Sequence, residues 1–201
     1  MTLIHTFNAT DDNAQQAAVA ACGQVQQQAR ALGFEITPVI LDADMPGAER
    51  RTKLLLTAGS APVRTNLASA CSLPVDGLHL DALAAHDAID AIDAIDAAIA
   101  VLGPGQVLSL GVIDGCSAGK TDLHATLAWL EPLQRRLGER LWIAPACPPP
   151  AELAGHKLAE LRILAQALDC GRSQVQLELV QNAAFIDRAR AVSRAQDAAL
   201  A

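Results

Sequence analysis

Hydrophobic and polar positions follow two alternating patterns along the chain, and together they predict alternating strands and helices. Short apolar runs bounded by turn residues predict six strands, at Leu3–Phe7, Phe34–Leu41, Leu54–Thr57, Gly77–Asp81, Val107–Ile113 and Leu141–Ala144. Segments with apolar residues at helical spacing separate most of these runs. This alternation predicts an α/β domain with a parallel sheet. Because a closed (β/α) barrel needs eight strands, we expect a TIM-barrel-like fold that is incomplete.

The buried face of a predicted helix is clearer in some helical segments of the sequence than in others. One segment has a regular leucine stripe, with Pro132 predicted to kink or break it: Leu123, Leu127, Leu130, Leu133 and Leu137. A second helix is predicted at Leu153–Leu168, with Leu158, Leu161, Leu164 and Leu168 facing inward. The three-residue repeat Asp87–Asp96 predicts a helix with Ile89, Ile92, Ile95 and Ile99 on one stripe. We interpret its aspartates as a solvated face, the alternative being a metal-binding one.

Two further features concern the ends of the domain. Pro38 cannot donate a ladder hydrogen bond, so Phe34–Leu41 should be an edge strand or carry a bulge. Beyond Gly171 the chain becomes polar and rich in Ala and Arg. We therefore divide it into a partial (β/α) barrel at residues 1–171 and a helical extension at residues 172–201. An open barrel would leave apolar interior surface uncovered unless a partner, a second copy or the terminal helices cover it.

Composition and charge exclude several classes of protein. The 201 residues include no Tyr, three Phe and two Trp, and the net charge is −7, which argues against nucleic-acid binding. No run of about twenty apolar residues suggests a membrane span, and the amino terminus lacks the pattern of a signal peptide. The five cysteines are widely spaced and odd in number, which is typical of free thiols in a reducing compartment. We expect a soluble, cytoplasmic domain.

Several motifs recur at and around the predicted strand ends: Lys53-Leu-Leu-Leu-Thr57, Asn66-Leu67, Leu73-Pro-Val-Asp-Gly-Leu-His-Leu-Asp81, Leu108-Ser-Leu-Gly-Val-Ile-Asp-Gly115, Thr121-Asp-Leu123 and Leu141-Trp142 through Cys147. In combination they resemble the later part of the amino-terminal barrel domain of the cobalamin-independent methionine synthases. These motifs extend over roughly half to two thirds of the chain, and each of them alone would be weak.

The resemblance implies a degenerate copy of a zinc-bearing barrel. In the family's catalytic half, zinc is held by a His-x-Cys pair, a Glu and a later Cys, and it activates homocysteine for methylation by methyl-tetrahydrofolate polyglutamate. Here the His-x-Cys position falls in Thr57–Ser60, which has neither ligand. Asp81 stands at the Glu position and Cys147 at the late Cys. With two of four ligands, we expect no metal and no other cofactor in this chain.

The residues themselves suggest two other sites at the strand ends. His79 and Asp81 alternate with leucines, so they share one strand face and are candidates for a general acid/base pair or a satisfied polar pair. Asp114–Thr121 resembles a phosphate-binding loop but is one residue short and has Asp114 where glycine is required. Lys120 at a helix start remains a candidate for holding an anionic group.

We therefore expect a methionine-synthase-related domain without the zinc and homocysteine centre. It would be accessory to, or a remnant of, a folate-dependent homocysteine methyltransferase, with a separate catalytic chain or a second copy as partner. Two alternatives remain open. One is a stand-alone small-molecule enzyme using His79, Asp81, Asp114 and Lys120. The other is an interaction module that pairs through an open sheet edge. Whether the chain is itself an enzyme is left undecided.

Overall fold

The structure is a computed structural model that describes residues 3–4, 23–41, 51–58, 66–83 and 88–200. Its strands form one mixed sheet in the order β1-β6-β5-β4-β3-β2. They are the two-residue β1 (Leu3–Ile4) and five longer strands: β2 (Phe34–Leu41), β3 (Arg51–Ala58), β4 (Gly77–Asp81), β5 (Val107–Ile113) and β6 (Leu141–Pro145). The predicted strands are thus found, although the first, third and sixth have different bounds.

The helices flank this sheet. They are α1 (Gly23–Ala31), α2 (Leu67–Cys71), α3 (Ala88–Val101), α4 (Leu123–Leu137), α5 (Ala151–Cys170) and α6 (Gln176–Leu200). Single turns of 3-10 helix occupy Gly138–Arg140 and Arg172–Val175. The helix start predicted near Pro62 lies outside the described residues. No helix in the described part of the chain has both the length and the apolar character that crossing a bilayer requires.

One strand runs against the predicted parallel direction. β2 pairs antiparallel with β3, whereas β3, β4, β5, β6 and β1 are parallel to their neighbours. The expectation of an entirely parallel sheet is therefore wrong. The reason is the short connection between Leu41 and Arg51, because a parallel crossover needs about a dozen residues or more. Pro38 does lie in an edge strand, as predicted, since β2 ends the sheet.

The described strands form an open α/β sheet, since β1 and β2 lie at opposite ends of its order and neither is paired with the other. This arrangement is compatible with a fragment of a (β/α) barrel. The division of the chain at Gly171 stays a prediction. α5 ends one residue earlier, at Cys170, and the backbone of Gly171 takes a φ of 89°, which glycine adopts without a steric penalty.

The main core lies between the sheet and the helices. Residues paired in register project to the same face, and one such row crosses four strands with no exposed surface: Leu56, Leu78, Leu108 and Leu141. The leucine stripe of α4 is buried as predicted. In α5, Leu161 and Leu164 are fully buried. Each such side chain contributes about 1.5–3 kcal/mol through burial.

The opposite sheet face carries a second row, offset by one residue, in which Thr57, His79, Ser109 and Trp142 are register partners. His79, Ser109 and Trp142 are at most 5% exposed. An open barrel was expected to leave apolar interior surface uncovered unless something covers it. The centre of this face is already removed from water, and for the terminal strands the expectation stays a prediction.

Two helical predictions need correction. α4 continues through Pro132, so the predicted break is wrong, whereas the alternative of a kink stays a prediction. The carbonyl group that Pro132 leaves without a helical donor belongs to Ala128, which is exposed, so water can satisfy it. In α3, Ile95 is buried but Ile92 is 54% exposed. A three-residue repeat advances 300° on a helix with 3.6 residues per turn, so successive isoleucines drift around it. The side chain of Ile89 lies outside the described residues.

The carboxy-terminal helix lies on the helical layer and not across an edge of the sheet. α6 packs against α4 and the turn before it, and Arg190 forms an ion pair with Asp122 at 2.8 Å. Val175 and Leu179 are buried, while Leu177 and Phe185 are exposed. An internal cover over the open sheet would require Val175, Leu177, Leu179 and Phe185 all to point inward, and two of them do not. α6 therefore extends the helix side of the core.

Candidate functional site

A buried polar pair lies at the centre of the second sheet face. Nδ1 of His79 and Oγ of Ser109 are 2.8 Å apart, on adjacent strands. Burial lowers the pKa of His79 to about 4. The imidazole is therefore neutral near pH 7, where it serves as a hydrogen-bonding group and not as a cation.

Asp81 ends the same strand but faces the solvent. Its Oδ1 accepts a hydrogen bond of 2.8 Å from the backbone N–H of Leu83, so the carboxylate helps to shape the turn after β4. His79 and Asp81 lie two residues apart on the same strand, as expected. His79 is buried, however, and Asp81 is exposed. Their role as a general acid/base pair stays a prediction.

A close cluster of reactive side chains lies at the ends of the next two strands, β5 and β6. Asp114, Cys116 and Cys147 offer atoms that all lie within 4.8 Å of one another. The two Sγ atoms are 2.6 Å apart, and Sγ of Cys147 donates toward Oδ1 of Asp114 at 3.7 Å. Burial, followed by the hydrogen bond to Cys116, raises the pKa of the Cys147 thiol to about 11.

Glycine allows the two loops that carry these groups to touch. A Cβ placed on Gly115 would lie 2.0 Å from the carbonyl oxygen of Cys147. A Cβ on Gly111 would lie 2.7 Å from Cα of Ala146. The loop after β5 can therefore approach the loop after β6 only because these two positions lack a side chain.

Hydrogen bonds inside the Asp114–Thr121 loop use the groups that a phosphate would need. Oδ1 of Asp114 accepts from the backbone N–H groups of Cys116 and Ser117, at 2.9 and 3.2 Å. The N–H of Gly119 donates to Oγ of Ser117. Because a carboxylate and a hydroxyl already occupy these donors, the loop does not form the N–H cradle of a nucleotide-binding loop.

A buried polar network holds the other end of this loop. Nζ of Lys157 donates to the carbonyl oxygen of Gly119 at 2.7 Å and lies 3.4 Å from Oε2 of Glu160. Glu160 also accepts from the N–H and the hydroxyl group of Thr121. Buried charges require such pairing, so this network anchors the loop to α5.

A small recess lies beside the network on the helical side, with residues of α5 and α6 among its lining and a volume of about 150 Å³. Lys120 lines it, and its Nζ lies 4.8 Å from the centre of the Phe185 ring, a cation–π distance. Lys120 is therefore directed toward α6. It is not part of the group formed by Asp114, Cys116 and Cys147.

The structure thus brings together only some of the residues singled out in the sequence. Asp114 and Cys147 meet, whereas Asp81 is not part of their group among the described residues. Sequence reasoning missed Cys116 and Ser109. Cys116 follows Asp114 by two residues, so its proximity to the end of β5 was a usable signal. Ser109 is recognisable only once the register opposite His79 is known.

A zinc ion does not fit these residues as they are arranged. Two thiolates that bind one tetrahedral zinc at about 2.3 Å lie about 3.8 Å apart, because the angle at the metal is close to 109°. The sulfur atoms of Cys116 and Cys147 are much closer, at 2.6 Å. The segment at the His-x-Cys position, Thr57–Ser60, supplies no His or Cys either.

Comparison with known proteins relates part of the chain to one family. Residues 43–138 match the family described as "Cobalamin-independent synthase, N-terminal domain". A curated relative from Saccharophagus degradans is named 5-methyltetrahydropteroyltriglutamate–homocysteine methyltransferase. It is 36% identical over 164 residues, which cover 72% of this chain and 21% of the relative. The chain thus spans about a fifth of the length of the relative that it matches.

Proposed function

Because residues 43–138 belong to the N-terminal domain family of the cobalamin-independent methionine synthases, we propose that this chain is a methionine-synthase-related domain without a zinc and homocysteine centre. On this proposal it is accessory to, or a remnant of, a folate-dependent homocysteine methyltransferase. The observation that carries the proposal is the 36% identity to the S. degradans methyltransferase over 164 residues. The relative's name describes methyl transfer from a triglutamylated folate to homocysteine.

The chemistry of the side chains supports the absence of the metal centre. Asp81 and Cys147 stand at two of the family's four ligand positions, and the other two positions have no ligand. Oδ1 of Asp81 bonds to Leu83. Cys147 is paired with Cys116 at a distance that does not suit zinc. We propose that zinc and the methylated folate belong to the complete methyltransferase system and that this chain holds no cofactor.

The proposed partner is a separate zinc-bearing catalytic chain, with a second copy of this chain as the alternative. The open sheet supports this proposal, because β1 and β2 each end the sheet on one side. An edge strand presents backbone N–H and C=O groups that can pair with another chain.

The test combines zinc analysis with a reconstituted methyl-transfer assay. The purified chain is assayed with triglutamylated methyl-tetrahydrofolate and homocysteine, alone and together with a separately expressed zinc-bearing half of the S. degradans relative. We expect no stoichiometric zinc and no methionine from the chain alone. We also expect a complex with the catalytic half, observed by size-exclusion chromatography, with more methionine formed than by that half alone.

Two outcomes would overturn the proposal. One is about one zinc per chain that disappears in Cys147→Ser and Asp81→Asn variants, and the other is methionine formation by the chain alone. Turnover of another small molecule that fails in Asp114→Asn or Lys120→Ala would favour the stand-alone enzyme instead. The exposed Cys170→Ser variant is the matched control for loss of a thiol.

A further inference from the structure

Cys116 and Cys147 form a pair of thiols whose chemistry the proposed function does not use. Their Sγ atoms are 2.6 Å apart, and they come from loops separated by 31 residues. Sulfur atoms in a disulfide are about 2.05 Å apart, so a bond requires a movement of only about half an ångström. The two thiols are therefore placed for covalent joining.

The backbone around the pair keeps the two loops together. Gly115 lies against the carbonyl group of Cys147, where a Cβ would approach to 2.0 Å, and Gly111 lies against Ala146. Oδ1 of Asp114 fixes the start of the first loop by accepting from the N–H groups of Cys116 and Ser117. The proximity of the sulfurs thus follows from the packing of two strand ends and not only from side-chain rotation.

We propose that Cys116 and Cys147 form a reversible disulfide that joins the loop after β5 to the loop after β6. The oxidant is a peroxide, and Cys116 reacts first because it is the exposed member of the pair, whereas Cys147 is half-buried. Cys147 then completes the bond. This modification site is independent of the proposed role in methyl transfer.

The reaction balances in two steps. Cys116 loses its thiol proton, its thiolate attacks one oxygen of hydrogen peroxide, and the O–O bond breaks. The products are a sulfenic acid on Cys116 and a hydroxide, which takes up that proton and leaves as one water. The sulfur of Cys147 then attacks the sulfenic sulfur and releases its hydroxyl group as a second water. Hydrogen peroxide is reduced and the two thiols are oxidised. A small dithiol reverses the reaction by exchange.

Asp114 is placed to help the second step as a positioning and proton-accepting group. Sγ of Cys147 donates toward its Oδ1 at 3.7 Å. Since Cys147 is the more protected thiol and its burial favours the protonated form, its attack requires a nearby acceptor for the proton. The carboxylate can take that proton and pass it to the leaving hydroxyl group.

The test counts thiols in the full chain before and after hydrogen peroxide. The reduced, denatured protein has five cysteines to alkylate, and we expect three after oxidation, with an intact mass about 2 Da lower. Peptide mapping should find a Cys116–Cys147 cross-link that dithiothreitol removes. Cys170→Ser should keep the cross-link, whereas Cys116→Ser and Cys147→Ser should each abolish it.

A second variant tests the role of Asp114. Asp114→Asn keeps an oxygen for the loop N–H groups but cannot take a proton, so a dimedone adduct of Cys116 sulfenic acid should accumulate as the cross-link forms more slowly. Unchanged trapping would overturn this role. Circular dichroism of each variant checks that the fold is retained. If Cys147→Ser does not fold, Cys116→Ser at the exposed position tests the cross-link in its place.

Three results would overturn the disulfide. They are cross-links that involve Cys22, Cys71 or Cys170 as often as the pair, irreversible oxidation of Cys116 with Cys147 still free, and stoichiometric zinc that shields both thiols from alkylation. The last result would assign the group to a metal centre. A separate cobalt titration, read by its thiolate-to-metal absorption, would identify that case.

Discussion

At the scale of single residues, glycine positions decide which loops can meet. Gly115 has no room for a methyl group, because its Cβ would lie 2.0 Å from a backbone oxygen of Cys147. A Cβ on Gly155, in α5, would meet no heavy atom within 4 Å apart from the neighbouring backbone of its own helix. A side chain is therefore excluded at Gly115 and tolerated at Gly155, and the sequence alone does not distinguish the two positions.

We predict that Gly115→Ala destabilises the protein by about 1–3 kcal/mol, since one of the two loops must shift. Gly155→Ala is the matched control and should be neutral or stabilising by up to about 1 kcal/mol, because alanine favours a helix interior. Urea unfolding at equilibrium measures both changes. Equal stabilities of the two variants would contradict the close approach of the loops.

His79 should make stability depend on pH. Its pKa is about 4 in the folded chain and near 6.5 when unfolded, so between these values the unfolded state binds more protons. Stability is therefore lost as the pH falls from about 6.5 to 4, by an upper limit of about 3 kcal/mol for this shift. We predict that His79→Gln weakens the dependence, measured by urea unfolding at several pH values. His156→Gln, at an exposed histidine, is the control, and the same slope in both variants would refute the assignment.

At the scale of elements, one buried amide holds two helices together. Oδ1 of Asn182 on α6 accepts from the N–H of Leu123 at the start of α4, and its Nδ2 donates to the carbonyl oxygen of Thr121. Asn182 is 6% exposed. It satisfies one of the free donors at the helix start, a role usually filled by a local capping residue.

We predict that Asn182→Ala costs about 1–3 kcal/mol, because it leaves a buried donor and acceptor without partners. The neighbouring Gln181 is exposed, and Gln181→Ala should change stability by no more than about 0.5 kcal/mol. Thermal unfolding with hydrogen exchange at the start of α4 measures both effects. An Asn182 variant as stable as the Gln181 variant would show that α6 docks by other contacts.

At the scale of the whole molecule, the sheet formed by the described strands ends at β1 and β2, while the centre of each face is buried. Assembly should therefore depend on the edges and on the helical layer more than on the sheet interior. β2 is the longer edge, with eight residues, and Pro38 weakens its capacity for pairing. α6 covers part of α4 and contributes Leu179 to the core.

We predict that the full chain of 21.0 kDa self-associates, or binds a partner, through an exposed edge. A version that ends at Gly171 should in addition bind a hydrophobic dye, because removing α6 and the turn before it uncovers the surface that Val175 and Leu179 fill. Multi-angle light scattering and dye fluorescence measure these changes. Well-folded monomers in both cases, without dye binding, would show that neither the edges nor α6 govern assembly.

The sequence by itself determined the local elements and one buried face. Apolar runs of five to eight residues located β2, β4 and β5 at their observed bounds, and the leucine spacing identified the inner side of α4. Periodicity is a local property, so a sequence records it directly. The short link between Leu41 and Arg51 is also a property of the sequence, and it implies that β2 and β3 pair antiparallel. That implication holds only once the two strands are known to be neighbours in the sheet.

Only the tertiary structure decided which distant residues meet. His79 reaches Ser109, Cys116 reaches Cys147, and Asn182 reaches Leu123 across separations of 30 to 59 residues. These contacts depend on strand order, register and helix docking, which arise from packing of the whole chain. A shift of one residue in register would move every side chain of a strand to the other face of the sheet. The composition of a loop therefore indicates which chemistry is available, and the packing of its neighbours decides which groups can react together.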